Sequence, residues 1–97
     1  MKYIIINDQT YQLIENYKDA FILEDVEAKL TDYFESFDYI VGDYAYNKLR
    51  LKGFCKENNP NLNDINNYNQ KNEYIKNFCA YDARYFVLER INSWNIV

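Results

Sequence analysis

The sequence contains no histidine and few hydroxyl or thiol side chains, with two serines, two threonines and two cysteines among 97 residues. A Ser-His-Asp triad, a Cys-His nucleophile, a histidine-ligated metal and a histidine pH switch each need a residue type that is missing. These absences argue against an enzyme. We therefore expect a chain with no catalytic residue, no metal and no cofactor.

Glycine and proline are also scarce, at two residues and one residue. Average usage near ~7% would give about seven glycines in a chain of this length. Many turns must therefore use other residues, and asparagine, which is present 14 times, tolerates positive φ best. We expect Gly42 and Gly53 to serve a tight turn or close packing.

No hydrophobic run approaches the ~18 residues that a membrane-spanning helix needs. The start of the sequence has too few apolar residues in a row for the core of a secretory signal. Cys55 and Cys79 are far apart and form no CxxC pair, so we interpret them as free thiols. These features predict a cytoplasmic protein without a membrane partner.

Aromatic residues are abundant, with eleven Tyr, six Phe and one Trp, and 48% of the chain is hydrophobic. This composition predicts a folded chain, and its length fits a single domain over residues 1–97. The net charge is −4, and residues 1–36 carry three lysines against eight carboxylates. The basic residues cluster later, at Lys48, Arg50, Lys52 and Lys56.

Hydrophobic periodicity predicts seven elements in the order β-β-α-β-β-α-β. Strands are predicted at residues 3–6, 10–15, 37–41, 48–54 and 84–91, the last of them central and covered on both faces. Helices are predicted at residues 24–36 and from a start between residues 64 and 72. A tight turn is expected at Gly42-Asp43 and a long polar loop at 57–72. The order indicates an α+β domain on a mainly antiparallel sheet.

The segment FDYIVGDYAYNKLRLKGF, residues 37–54, resembles the YutD-like family of small bacterial proteins, in which D-Y-I-V-G-D-W-G-Y precedes L-R-L-K-G-F. Residues 72–90, NEYIKNFCAYDARYFVLER, resemble the closing helix and strand of the same family. Tyr44 and Ala45 stand where the family pattern has Trp-Gly. The resemblance implies a cytoplasmic protein and supplies no catalytic residue.

One constellation suggests a binding site, over residues 42–56. Aromatic rings that can stack on bases lie in sequence beside cations that can bind phosphate, as in several modules that bind single-stranded RNA. The predicted binding residues are Asp43, Tyr44, Tyr46, Lys48, Arg50 and Lys52. In a strand, the alternation from Lys48 to Lys52 places all three cations on one face.

Each of these residues also has a purely structural interpretation. The tyrosines can pack on the sheet, the cations can form an ordinary solvated face, and Arg50 can form a fixed ion pair with Asp43 or Asp38. Asp38 and Asp43 alone are too few ligands for a metal site. Cys55 could be activated by neighbouring lysines, but no histidine is present to act as its base.

We therefore expect a non-enzymatic cytoplasmic binding or adaptor domain, with RNA or a ribonucleoprotein as the favoured ligand through residues 42–56. The alternative is a protein-interaction module that uses the aromatic surface and the acidic first helix. A small hydrolase or transferase using Asp43 or Tyr46 is the least favoured interpretation.

Overall fold

The computed structural model describes residues 2–79 and 82–91. Within these residues, five strands, two α-helices and two short 3₁₀ segments follow one another. They are β1 (Lys2–Ile6), β2 (Gln9–Tyr17), α1 (Leu23–Lys29), a 3₁₀ segment (Asp32–Ser36), β3 (Tyr39–Ala45), β4 (Lys48–Phe54), a 3₁₀ segment (Tyr68–Gln70), α2 (Lys71–Phe78) and β5 (Tyr85–Ile91). The strands form one antiparallel sheet in the order β1-β2-β5-β3-β4. The predicted α+β fold is confirmed.

β5 is the central strand, and successive side chains on it alternate between two cores. Phe86 and Leu88 pack with Val26 of α1 on one face of the sheet. Val87 packs on the opposite face, where Tyr74 and other residues of α2 cover it. The prediction that this segment is a strand buried on both faces is confirmed, and each helix covers one side of the sheet.

The predicted helix at 24–36 was wrong in its second half, because α1 ends at Lys29. Leu30 and Thr31 are extended, and a 3₁₀ segment follows. Leu30 is buried in the core in this extended conformation. The Leu30 carbonyl accepts a hydrogen bond from Asn7 Nδ2 at 2.9 Å instead of from a continuing helix.

The predicted turn at Gly42-Asp43 was also wrong, because β3 continues through both residues to Ala45. The fully buried ring of Phe86 lies directly over Gly42, where any Cβ would overlap it. Gly42 is therefore a packing residue inside a strand. The ring of Phe37 covers Gly53 in the same way.

The turn between β3 and β4 is formed by Tyr46 and Asn47, with φ of 53° and 64°. Asn7 and Asp8 have the same left-handed conformation in the β1–β2 turn, at 51° and 65°. Two-residue turns of this handedness match the twist of antiparallel strands. Neither glycine has positive φ, so asparagine and its neighbours take the role that glycine usually has.

The Asn-rich segment before α2, residues 57–70, is ordered by its own side chains. Asn63 Oδ1 accepts hydrogen bonds from the backbone N–H groups of Ile65 and Asn66, each at 3.0 Å. The Asn66 side chain donates to the carbonyl of Asn61 at 3.0 Å. A parallel bridge between Cys55 and Asn67 then ties the segment to the end of β4. α2 begins at Lys71, within the predicted window.

Candidate functional site

The three cations of β4 lie on the α2 side of the sheet. Leu49 and Leu51 pack into the core on the α1 side, so Lys48, Arg50 and Lys52 project from the opposite face, as the alternation predicts. β4 is an edge strand.

Arg50 is engaged in contacts within the fold. Its Nη2 lies 2.6 Å from Asp43 Oδ2 on the adjacent strand and 3.1 Å from the carbonyl oxygen of Phe78. Asp43 is 1% exposed, whereas the Arg50 side chain is 44% exposed. The hydrogen bond to Asp43 raises the pKa of Arg50. Arg50 thus neutralises a buried carboxylate and ties the end of α2 to β4.

The buried end of this cluster holds the second carboxylate oxygen of Asp43 and the thiol of Cys79. Asp43 Oδ1 has no hydrogen-bond partner among the residues that the structure describes. The thiol of Cys79 is buried nearby, and its burial followed by the charge of Asp43 raises its pKa to about 11. A thiol with that pKa is almost entirely protonated at neutral pH, so Cys79 is a poor nucleophile.

The other two cations differ in their surroundings. Lys52 is half-buried, and its Nζ lies 5.5 Å from the centre of the Phe54 ring. Lys48 is exposed at the start of β4. Of the three predicted phosphate contacts, therefore, Lys48 is solvated, Lys52 lies over a ring and Arg50 is in an ion pair.

The structure does not bring the predicted tyrosines to this face. Tyr44 packs on the α1 side, where its hydroxyl donates to Asp25 at 2.6 Å and Arg84 lies 4.4 Å from the ring centre. Burial followed by the bond to Asp25 raises the pKa of Tyr44 to about 12. Tyr46 is 100% exposed at the tip of the β3–β4 turn.

A groove that the sequence did not reveal lies between β4, α2 and the Asn-rich segment. Its volume is about 330 Å³. The lining residues are Lys52, Phe54, Asp64, Ile65, Gln70, Glu73, Tyr74, Asn77 and Phe78. A volume of this size lies at the small end of the range for ligand pockets, ~300–1,000 Å³.

One wall of the groove is aromatic. The Tyr74 ring meets Phe54 edge-on at 5.5 Å between centroids and stacks with Phe78 at 5.6 Å. Phe78 is 69% exposed, and Ile65, another lining residue, is 72% exposed. Large apolar side chains that remain in water around a concave site are typical of binding surfaces.

The apolar surface continues beyond the groove. A second depression of about 120 Å³ shares Lys52 and Ile65 with the groove and is also lined by Tyr33, which is 69% exposed. We call the groove together with Tyr33, Ile65 and Phe78 the edge surface, because it lies along the edge strand β4. An isolated Ile65 in an Asn-rich run is the sequence signal that could have identified it.

The charge around the groove is mainly negative. Asp64 and Glu73 line it and are exposed, and Lys52 is the cation beside them. In residues 2–79 and 82–91, neither carboxylate takes part in an ion pair or a side-chain hydrogen bond. The same residues contain no cluster of three or more potential metal ligands and no helix long and apolar enough to cross a membrane.

Comparisons with known proteins agree with the resemblance seen in the sequence. A family model described as "Putative antitoxin YutD-like" matches residues 5–89. The protein named "Putative antitoxin YutD" from Bacillus subtilis (strain 168) is 39% identical over 90 residues, which cover 93% of this chain and 99% of that protein. The solution NMR structure of yutD from B. subtilis is 37% identical with a TM-score of 0.78, covering 95% of this chain and 84% of that one.

Proposed function

Because the chain belongs to the YutD-like family, we propose that it is a protein-binding module that acts as an antitoxin, by holding a protein partner on the edge surface. In this proposal it is not an enzyme, and it acts in the cytoplasm. The observation that carries the proposal is the exposed apolar surface of Ile65 and Phe78 at a groove with an aromatic wall, which Tyr33 extends in the neighbouring depression.

The physical basis is the apolar area that these side chains leave in water. Full burial of a side chain such as Phe or Ile contributes about 1.5–3 kcal/mol. Phe78 and Ile65 are more than two-thirds exposed in the free chain, so most of that contribution is available to a partner. Aromatic residues at the centre of an interface often carry much of its binding energy.

RNA, the ligand class favoured from the sequence, has weaker support. A stacking and phosphate-binding face needs rings and free cations together. Tyr44 lies on the opposite side of the sheet from the cations, and Arg50 is paired with Asp43. The net charge of −4 also opposes association with a polyanion.

Affinity capture from nuclease-treated cells, followed by reconstitution from purified components, tests the proposal. We expect a protein that forms a stable complex with the full chain and binds at least tenfold more weakly to the variant Ile65→Ser/Phe78→Ala. Tyr46→Ser, which removes a fully exposed aromatic outside the edge surface, is the matched control and should bind normally. If that protein arrests growth when expressed alone, co-expression of this chain should restore growth.

Two results would count against this function. The first is capture that disappears with nuclease, together with salt-dependent fluorescence anisotropy of single-stranded RNA that Lys48→Gln weakens. That result would favour the RNA alternative. The second is a protein complex whose affinity is unchanged by the edge-surface variant.

A further inference from the structure

We infer that the groove binds an arginine or lysine side chain from a basic segment of the protein partner. This inference rests on the proposed function and adds the chemistry of the residue that is recognised. Three features of the groove support it: apolar walls, exposed ring faces and unpaired carboxylates at the rim.

The walls suit the aliphatic part of a long cationic side chain. Phe54, Tyr74 and Phe78 form one side, and Ile65 also lines the space. Arginine and lysine bury their methylene chains along apolar surface while the charged end stays near water or a polar rim. A groove of about 330 Å³ that opens to solvent accommodates such a chain.

The rings are arranged to receive a positive charge. Tyr74 and Phe78 stack with an interplanar angle of 24°, so Phe78, which is largely exposed, presents a ring surface to the solvent. Cations are attracted to the face of an aromatic ring within about 6 Å. Lys52 already makes this contact with Phe54 at the same groove, at 5.5 Å.

The charged residues that line the groove favour a cationic ligand over an acidic or purely apolar one. Asp64 and Glu73 together outnumber Lys52, and neither is paired within the described part of the chain. A guanidinium or ammonium group would form charge-assisted hydrogen bonds with these carboxylates. An acidic ligand would be repelled, and a purely apolar ligand would gain no binding energy from the carboxylates. The net charge of −4 favours approach of a basic segment over a longer distance.

NMR titration of the ¹⁵N-labelled full chain with capped pentapeptides tests the inference. The probes are Gly-Ser-Arg-Ser-Gly and the same peptide with norleucine or glutamate in the centre. We expect the arginine peptide, at millimolar concentration and low salt, to shift the amide resonances of Ile65, Glu73 and Phe78. The norleucine peptide should bind about tenfold more weakly, and the glutamate peptide should cause no shift.

Two double variants that remove the same number of charges test whether the carboxylates of the groove bind the cation. Asp64→Asn/Glu73→Gln should weaken binding of the arginine peptide about tenfold, and this difference should shrink at high salt. Glu24→Gln/Glu27→Gln removes two exposed charges from α1 and should leave binding unchanged. No shift with the arginine peptide, or equal binding of arginine and norleucine peptides, would overturn the inference.

The reconstituted protein complex separates this inference from the proposed function. A complex that depends on Phe78 but is insensitive to Asp64→Asn/Glu73→Gln would refute recognition of a basic side chain and leave the protein-binding function intact. Failure to form any protein complex would refute the function itself, whatever the peptide titration shows.

Discussion

Replacing Arg50 with methionine removes the cation that neutralises a fully buried carboxylate. Arg50 contacts both Asp43 and the Phe78 carbonyl, and Asp43 is 1% exposed. Breaking a fully buried ion pair from one side costs about 3–5 kcal/mol, whereas a hydrogen bond to a charged group contributes about 1.5–3 kcal/mol. Because the Arg50 side chain is 44% exposed and partly solvated, we expect a cost below that of a fully buried pair, in the upper part of the hydrogen-bond range at about 2–3 kcal/mol.

Urea unfolding at neutral pH measures this free energy. For a domain of this size, a loss of that magnitude lowers the melting temperature by roughly 10–20 °C. Lys48→Met is the matched control, because Lys48 is an exposed cation on the same face of the same strand. Lys48→Met should change the free energy of unfolding by no more than about 0.5 kcal/mol.

The double variant Asp43→Asn/Arg50→Met should recover part of the lost stability, because it also removes the uncompensated charge. A coupling energy of at least about 1 kcal/mol between the two positions is expected from the double-mutant cycle. If Arg50→Met costs no more than Lys48→Met, the pair is an ordinary surface ion pair and the reasoning is refuted.

Three further predictions concern other parts of the fold. Gly42→Ala should lower the free energy of unfolding in urea by about 3 kcal/mol, because the new Cβ would overlap the buried Phe86 ring. The double variant Gly42→Ala/Phe86→Leu should recover part of that stability, and an alanine that causes no loss would contradict this packing. Burial and the charge of Asp43 raise the pKa of Cys79 from 9.0 to about 11, so the protonated thiol favours the folded state below pH 9. This contribution, about 3 kcal/mol, is lost as the pH rises from 9 to 11. Thermal melts of Cys79→Ala should show a weaker decline than the parent chain over that window, and parallel curves would disprove the assignment. Tyr46→Gly should stabilise the chain by about 0.5–1 kcal/mol, because Tyr46 has a left-handed φ of 53°, which glycine adopts more readily, and its side chain is fully exposed. Lower stability of this variant in urea unfolding would show that the turn is not strained.

The fold could be predicted where one side-chain pattern decided the structure. The alternation from Lys48 to Phe54 and the apolar centre of β5 each specify a strand, and both predictions are confirmed. At Gly42 the predicted turn is absent, and the other role expected for this glycine, close packing, is the one that it has. Its role is set by the Phe86 ring, which lies 44 positions away in the sequence and cannot be inferred from local pattern.

The candidate site was harder to predict because it depends on which side of the sheet each helix covers. Alternation correctly placed the three cations of β4 on one face. The structural interpretation of Arg50, an ion pair with Asp43 or Asp38, is confirmed with Asp43 as the partner. Alternation could not show that the end of α2 also contacts Arg50, or that Tyr44 packs on the other face. The groove brings together residues from β4, the Asn-rich segment and α2, so it exists only after all three have packed.

The location of the partner on the edge surface is the central claim, and amide hydrogen exchange tests it most directly. Exchange is compared between the free chain and the reconstituted protein complex. The account predicts new protection at residues 63–66 and 74–78, around Ile65 and Phe78. Protection confined to the β3–β4 turn or to α1, with exchange on the edge surface unchanged, would contradict it.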